Sequence, residues 1–436
     1  MLIPSHFRAI ATSRIAIFAF IGISLAGCGG GSGDGAAGGS CSSVSGAAAP
    51  LPLYPSSYEN AKKISLSPHP SLPSPDLAGI AQPTWFHGGF AYADFFQEGR
   101  YSAVVQMAQF TAGANGGPPD LPAKIYFLRK NASGNWCDAT SAILSDQSGC
   151  ISPRKTLIAD FNGDGKPDVF NACHGYDGTP DPSKGLVWGE YQRILLSQPN
   201  GSYKNVQLPF FVYGHGASAA DLDGDGKTDI VLTNPSSGTN TNPAASTDYQ
   251  PLVLIGHGDG TFHADLTRLP ASWQFKAMYA FELIDVNGNG KPDLFAGVYE
   301  ANATGNPDPA DPTRIGNLWA KNNGAGKFTS VTTLPNNADS SGMFFNLGQD
   351  FAVQGGHLYM SQTSETYNDI AVQKIRLSDL NQAFVYSHHG TYSDGGTWFP
   401  WIYPTQQGTF ETVDANALGM ADPRWTSSRF SVSFPQ

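Results

Sequence analysis

The chain has 436 residues, of which 40% are hydrophobic, 12% aromatic and only 14% charged, with 50 glycines and 31 prolines. That balance points to an extracytoplasmic all-β protein rich in turns. Its net charge of −11 argues against a nucleic-acid partner, because phosphates demand a basic surface.

Arg8 and Arg14 precede an apolar run over residues 15–25, too short to span a bilayer and of the length of a signal-peptide core. The run ends Leu25-Ala26-Gly27-Cys28, which resembles a bacterial lipoprotein signal. The resemblance implies a signal peptide over residues 1–27 and a lipid on Cys28. Gly29 stands where such proteins carry an aspartate for inner-membrane retention, so the expected place is the outer membrane, facing the periplasm or the surface. Residues 28–57 are Gly, Ser, Ala and Pro with almost no charge, a composition too poor in apolar surface to offset its ordering entropy. They read as a flexible tether. Residues 58–436 then form the body, expected to be a monomer that meets the membrane through the lipid only.

Four further cysteines are Cys41, Cys137, Cys150 and Cys173. In an oxidising compartment Cys137 and Cys150 are close enough in sequence to close a short disulfide loop, leaving Cys41 and Cys173 unassigned.

The body is organised by a nine-residue loop that recurs. It reads Asp-Phe-Asn-Gly-Asp-Gly-Lys-Pro-Asp at 160–168, Asp-Leu-Asp-Gly-Asp-Gly-Lys-Thr-Asp at 221–229 and Asp-Val-Asn-Gly-Asn-Gly-Lys-Pro-Asp at 285–293. Oxygen side chains at positions 1, 3, 5 and 9, with glycines at the bends, suit a hard cation such as calcium. Weaker copies extend the register to Asp94, Asp350 and Asp414, spaced 61 to 66 residues apart, each with a glycine five residues on: Gly99, Gly165, Gly226, Gly290, Gly355 and Gly419. A second landmark is a Gly-X-aromatic turn ending in Trp136, Tyr203, Phe262, Phe328 and Tyr392, 41 to 43 residues after the aspartate. Before each turn lies an apolar run, at 124–128, 193–196, 251–255, 317–320 and 383–386. Each unit thus reads as four strands, and four-stranded units at a fixed period are the sequence form of a β-propeller. Six blades are the simplest count, with seven as the alternative. Residues 58–83 are expected to complete the short sixth blade.

These loops, with runs such as Asp229-Ile230-Val231-Leu232 and turns such as Gly258-Asp259-Gly260-Thr261-Phe262, resemble the FG-GAP/VCBS repeats of integrin-α-like propellers over roughly residues 85–425. The resemblance implies calcium in the loop between the first two strands of a blade. The ligands are then Asp160, Asn162, Asp164 and Asp168 with the Lys166 carbonyl; Asp221, Asp223, Asp225 and Asp229 with that of Lys227; and Asp285, Asn287, Asn289 and Asp293 with that of Lys291. Carboxylates number three, four and two, so the second loop is expected to bind tightest and the third weakest. The degenerate loops at Asp94, Asp350 and Asp414 are expected to hold no ion, and the metal to be structural rather than catalytic.

No nucleophile motif, phosphate loop or zinc spacing is present. His87 and His215 precede register aspartates near the expected channel, where packing is the expected role. His174, residues 177–181 and residues 308–311 fall in loops expected on the face opposite the metal loops. Trp398, Phe399, Trp401 and Tyr403 suit core packing at the ring closure, with a carbohydrate-stacking platform as the sharper idea. The resulting expectation is a lipid-anchored, calcium-stabilised propeller binding a protein or glycan at the bacterial envelope. An envelope scaffold and a polysaccharide lyase or hydrolase are the alternatives, with no acid and base to name for the latter.

Overall fold

The chain divides into two compact units, Met1–Gly39 and Ser40–Gln436. The computed structural model describes residues 41, 48–65, 89–109, 121–134, 136–181, 185–235, 250–273, 278–298, 316–335, 338–343, 345, 347–364, 369–389, 401–413 and 429–432, all in the second unit. The expected signal segment, Cys28, His87, residues 308–311, Trp398, Phe399, Tyr392 and the sixth register at 414–419 lie outside the described residues.

A helix, α1 (Ser57–Lys62), precedes five four-stranded antiparallel sheets. Blade 1 comprises β1 (Phe90–Ala93), β2 (Ser102–Gln109), β3 (Leu121–Lys130) and β4 (Trp136–Asp138), and a turn of helix, α2 (Thr140–Ile143), leads on. Blade 2 has β5 (Pro153–Ala159) and β6 (Asp168–Cys173), then an inserted hairpin, β7 (Tyr176–Asp181) with β8 (Gly185–Trp188), and finally β9 (Glu190–Ser197) and β10 (Tyr203–Val212). Blade 3 is β11 (Ala217–Ala220), β12 (Asp229–Leu232), β13 (Leu252–Gly256) and β14 (Phe262–Ala264). Blade 4 is β15 (Met278–Ile284), β16 (Asp293–Val298), β17 (Leu318–Asn322) and β18 (Phe328–Thr333). Blade 5 is β19 (Leu347–Gln354), β20 (His357–Thr363), β21 (Ile370–Arg376) and β22 (Gln382–His388). A three-stranded sheet follows: β23 (Ile402–Pro404), β24 (Phe410–Val413) and β25 (Arg429–Val432).

The first strands touch in the order β1, β5, β11, β15, β19, β23. The ring closes where Trp401 and Tyr403 pack on Tyr92, Ala103, Val105 and Tyr126 of blade 1. The fold is therefore an all-β propeller of four-stranded blades, with five such blades rather than six or seven. Around the sixth register the described residues form a three-stranded sheet. Of the segment 58–83 expected to complete it, residues 58–62 belong to α1 and lie among the first strands, and residues 66–83 are outside the described residues.

Each apolar cluster lies between successive sheets, such as Leu157, Phe161 and Phe170 of blade 2 against Ala217, Ala219 and Ile230 of blade 3. This explains why the second strands β12 and β16 are buried at every position and read as continuous apolar runs, whereas the outer β18 is mostly exposed. The glycine of the repeat has positive φ in all five described copies, from 57° at Gly355 to 82° at Gly226, a region that glycine alone adopts without cost.

Copy five departs from the expected register. Asp350 lies within β19, and β19 meets β20 through a tight turn at Gly355 and Gly356 instead of a nine-residue loop. Residues 383–386 consequently belong to the fourth strand of the blade, not the third.

The disulfides also differ from expectation. Cys41 pairs with Cys137 and Cys150 with Cys173, with Cα atoms 5.8 and 5.2 Å apart. Cys137 lies opposite Arg129 near one end of β3, while the Cys150 carbonyl accepts from Ala123 N–H near the other. Six strand residues span about 20 Å, far beyond a disulfide's reach.

Candidate metal centre

The three acidic loops join the first and second strands of blades 2, 3 and 4. Position 2 roots each loop: Phe161 and Leu222 are fully buried between blades, and Val286 is packed against the next interblade cluster. Position 1 folds the loop around itself. Asp221 accepts Gly224 N–H and Gly226 N–H at 2.7 and 2.9 Å, Asp160 accepts Gly163 and Gly165 at 2.7 and 2.8 Å, and Asp285 accepts Asn289 and Gly290 at 3.1 and 2.7 Å. Position 5 then receives the position 7 amide: Asp164 from Lys166, Asp225 from Lys227 and Asn289 from Lys291.

Position 9 has a second task that its spacing did not reveal. Asp168 accepts from Phe161, Asn162 and Ser197 N–H, Asp229 from Leu222 and Gly256 N–H, and Asp293 from Asn322 N–H and the Trp319 indole. Each pins its loop to the end of the third strand of its blade. Burial pushes the Asp168 carboxyl up to about 7 and that of Asp229 up to about 6, the neighbouring Asp160 and the pair Asp223 and Asp221 adding to the shift. Asp293 is raised by burial as well.

The second loop converges most. One oxygen each of Asp221, Asp223 and Asp225 lie within 4.8 Å of one another, the only loop among the described residues in which three carboxylates do so. Asp225 is held below the usual carboxylate range by Lys227, whose Nζ donates to it at 2.8 Å. Arg268 donates to Asp223 Oδ2 at 3.1 Å, yet Asp223 Oδ1 is shielded from solvent with no hydrogen-bond donor. A shielded carboxylate oxygen without a donor is what a cation's inner sphere supplies a partner for, so the residues fit a hard metal ion. In the first loop Ser197 Oγ lies 2.9 Å from both oxygens of Asp164, and Asn162 Oδ1 accepts from Asp164 N–H, as Asn287 Oδ1 does from Asn289 N–H in the third.

The degenerate copies have other partners. Asp94 accepts from Leu51, Glu98 and Gly99 N–H. Asp350 is fully buried and, with Glu282, flanks Lys155 at 3.0 and 2.5 Å. Burial alone would lower the Lys155 ammonium, but the two carboxylates outweigh it and raise it, while burial raises both carboxyls. A lone charge in an innermost strand is the only sequence signal for this triad.

At the other ends of the first strands, the His174 ring lies 3.6 Å from that of Tyr213, tilted by 48°, and His215 lies 4.1 Å from Tyr279, with Nδ1 2.9 Å from the Tyr279 carbonyl. Burial, and next Arg154, hold His215 well below its usual range, consistent with packing. In blade 5 His389 bridges Asp339 at 2.7 Å and Asp369 at 3.3 Å, and Ser341 Oγ, 3.2 Å from its Nε2, donates to Asp339 at 2.6 Å. Ser341 N–H and Met343 N–H also point at Asp339, so this group clasps three connections together.

A family model of the FG-GAP repeat matches residues 213–247. Human integrin alpha-IIb is 30% identical over 159 residues, 33% of this chain, and the match spans 14% of that protein's length. Among solved structures, the GH93 alpha-L-arabinofuranosidase of Fusarium graminearum aligns with TM-score 0.43 and 10% identity over 82% of this chain and 96% of that one. A putative 6-phosphogluconolactonase from Bacteroides uniformis aligns with TM-score 0.40 and 15% identity over 86% and 89%.

Proposed function

We propose that this chain, a β-propeller carrying an FG-GAP repeat, is a calcium-stiffened recognition module that binds a protein or glycan at a bacterial outer membrane, held there by a lipid on Cys28. The observations that carry the cation reading are the convergence of Asp221, Asp223 and Asp225 and the shielded Asp223 Oδ1 that has no donor. The loops also bear on blade junctions. Thr228 Oγ donates to the Asp160 carbonyl, Gly260 N–H to Phe161, and Asn322 Nδ2 to Leu222, each from the following blade or its turn. An ion in such a loop would rigidify two blades at once. The face with the longer connections, reached after each second strand, would be left for ligand.

Calorimetric titration with calcium tests the first half. Asp223→Ala should weaken the tightest site by tenfold or more, Asp285→Ala should affect only the weakest, and chelation should lower the melting temperature. Equal affinities across the loops would contradict it. Glycan arrays and co-purification from envelope extracts separate a glycan from a protein ligand.

A further inference from the structure

The first strands of the blades turn a free backbone edge toward the ring's axis, and α1 sits against β1, β5, β11, β15 and β23. Its side chains meet those edges blade by blade. Tyr58 Oη donates to the Val353 carbonyl at 3.0 Å and accepts the Val353 N–H at 2.7 Å, so it satisfies both groups of one β19 residue. Ser57 Oγ accepts Ala219 N–H at 2.9 Å, and Ser56 forms a backbone bridge to Ala220, both in β11. Asn60 Nδ2 donates to the Ile158 carbonyl of β5 at 3.0 Å while its amide also locks Tyr54 and Ser56. Ile64 joins Tyr92, Trp401 and Tyr403, the residues that bring the last sheet onto blade 1. A helix of six residues has no stability of its own. Its order comes from these contacts.

Directly beneath, Lys155, Glu282 and Asp350 join blades 2, 4 and 5, and Ser218 Oγ links Glu282 to the helix, 2.6 Å from Oε1 and 3.3 Å from Ser57 Oγ. A cavity of about 30 Å³ lies between the helix and these groups. The three described strands of the last sheet all come from the C-terminal end of the chain, and the helix contacts the first of them, β23.

We propose that the end of the channel on the acidic-loop side is a docking surface for a short helix bearing hydroxyl and amide side chains, and that the chain fills it in cis with residues 51–64, closing the ring. Recognition is through strand-edge amides and carbonyls, one or two on each of β5, β11 and β19, so the partner must present donors and acceptors at the spacing of Ser57, Tyr58 and Asn60. This goes beyond the proposed calcium-dependent recognition and would stand without it.

The test uses the full chain with a specific protease site placed between residues 66 and 88. After cleavage, with the Cys41–Cys137 bond intact, the melting curve should be unchanged. In the cut Cys41→Ser chain the segment should dissociate on dilution while the blades stay folded by near-ultraviolet circular dichroism. A labelled peptide of residues 48–65 should rebind, and a peptide carrying Tyr58→Phe and Asn60→Ala should bind at least tenfold more weakly. Loss of the folded signal together with the segment, or equal binding of the two peptides, would overturn the proposal. In the uncut chain, Tyr58→Phe and Ser57→Ala should speed hydrogen exchange at the Val353 and Ala219 amides and leave the outer strands unaffected; unchanged exchange at those two amides would refute it independently.

Discussion

Asp168, Asp229 and Glu190 share a condition: each is a carboxyl placed where burial disfavours its charge. Glu190 accepts N–H from Ile151, Ser152 and Gly175, yet burial still pushes it up to about 7. A carboxyl with a folded value above its unfolded one stabilises the fold fully below the unfolded value and loses that contribution as pH rises through the folded value. In chelator, therefore, the melting temperature should fall between pH 5 and pH 8, where these groups ionise. Melting curves across that range check the sign. Glu190→Gln should flatten part of the fall, and calcium should flatten the part due to Asp168 and Asp229. At this scale the glycines and first aspartates were legible in the sequence because left-handed φ and a ring of oxygens have few alternatives. The double duty of position 9 was not, because Ser197, Gly256 and Asn322 are supplied from 27 to 29 residues away.

At the scale of elements, each acidic loop is a joint between blades as well as a candidate cup for an ion. Arg268 shows this best. It ties Asp223 to Asp265 and donates to the Ala325 carbonyl in the third turn of blade 4, at 2.6 Å. A guanidinium on Asp223 repels an incoming cation and occupies one of its oxygens. Arg268→Ala should therefore tighten calcium binding in the second loop several-fold, and should change stability in chelator by about 1 kcal/mol, the scale of ion pairs that are partly reached by solvent. Titration and denaturant unfolding of the one variant read both numbers. Strand number per blade was legible from the two landmarks, but blade 5 shows how a landmark can survive the structure it marked. Gly355 keeps its left-handed conformation in a two-residue hairpin, so spacing alone did not reveal that the loop had gone and that Asp350 had moved into a strand.

For the whole molecule, the question is what keeps a ring of five full blades and one partial sheet shut. Apolar packing between neighbours supplies most of it, and the pattern of apolar runs announced that packing. The centre was illegible, since Lys155, Glu282 and Asp350 are up to 195 residues apart and nothing local marks them as partners. Lys155→Met would leave two carboxylates buried without a counter-charge and should cost about 3–5 kcal/mol. The triple change Lys155→Met, Glu282→Gln and Asp350→Asn should recover at least half of that in denaturant unfolding, because no uncompensated charge then remains. The pairing of cysteines was hidden for the same reason of distance, 96 residues in one case. That bond has a mechanical consequence. Cys41 lies upstream of the docked helix and is joined to β4 at the outside of blade 1, with Arg129 holding its carbonyl at 2.9 Å. Tension applied to the chain ahead of residue 41 is thus delivered to the rim of the ring, as a strain relief spares the plug on a cable, and the helix in the channel feels none of it until the disulfide is broken.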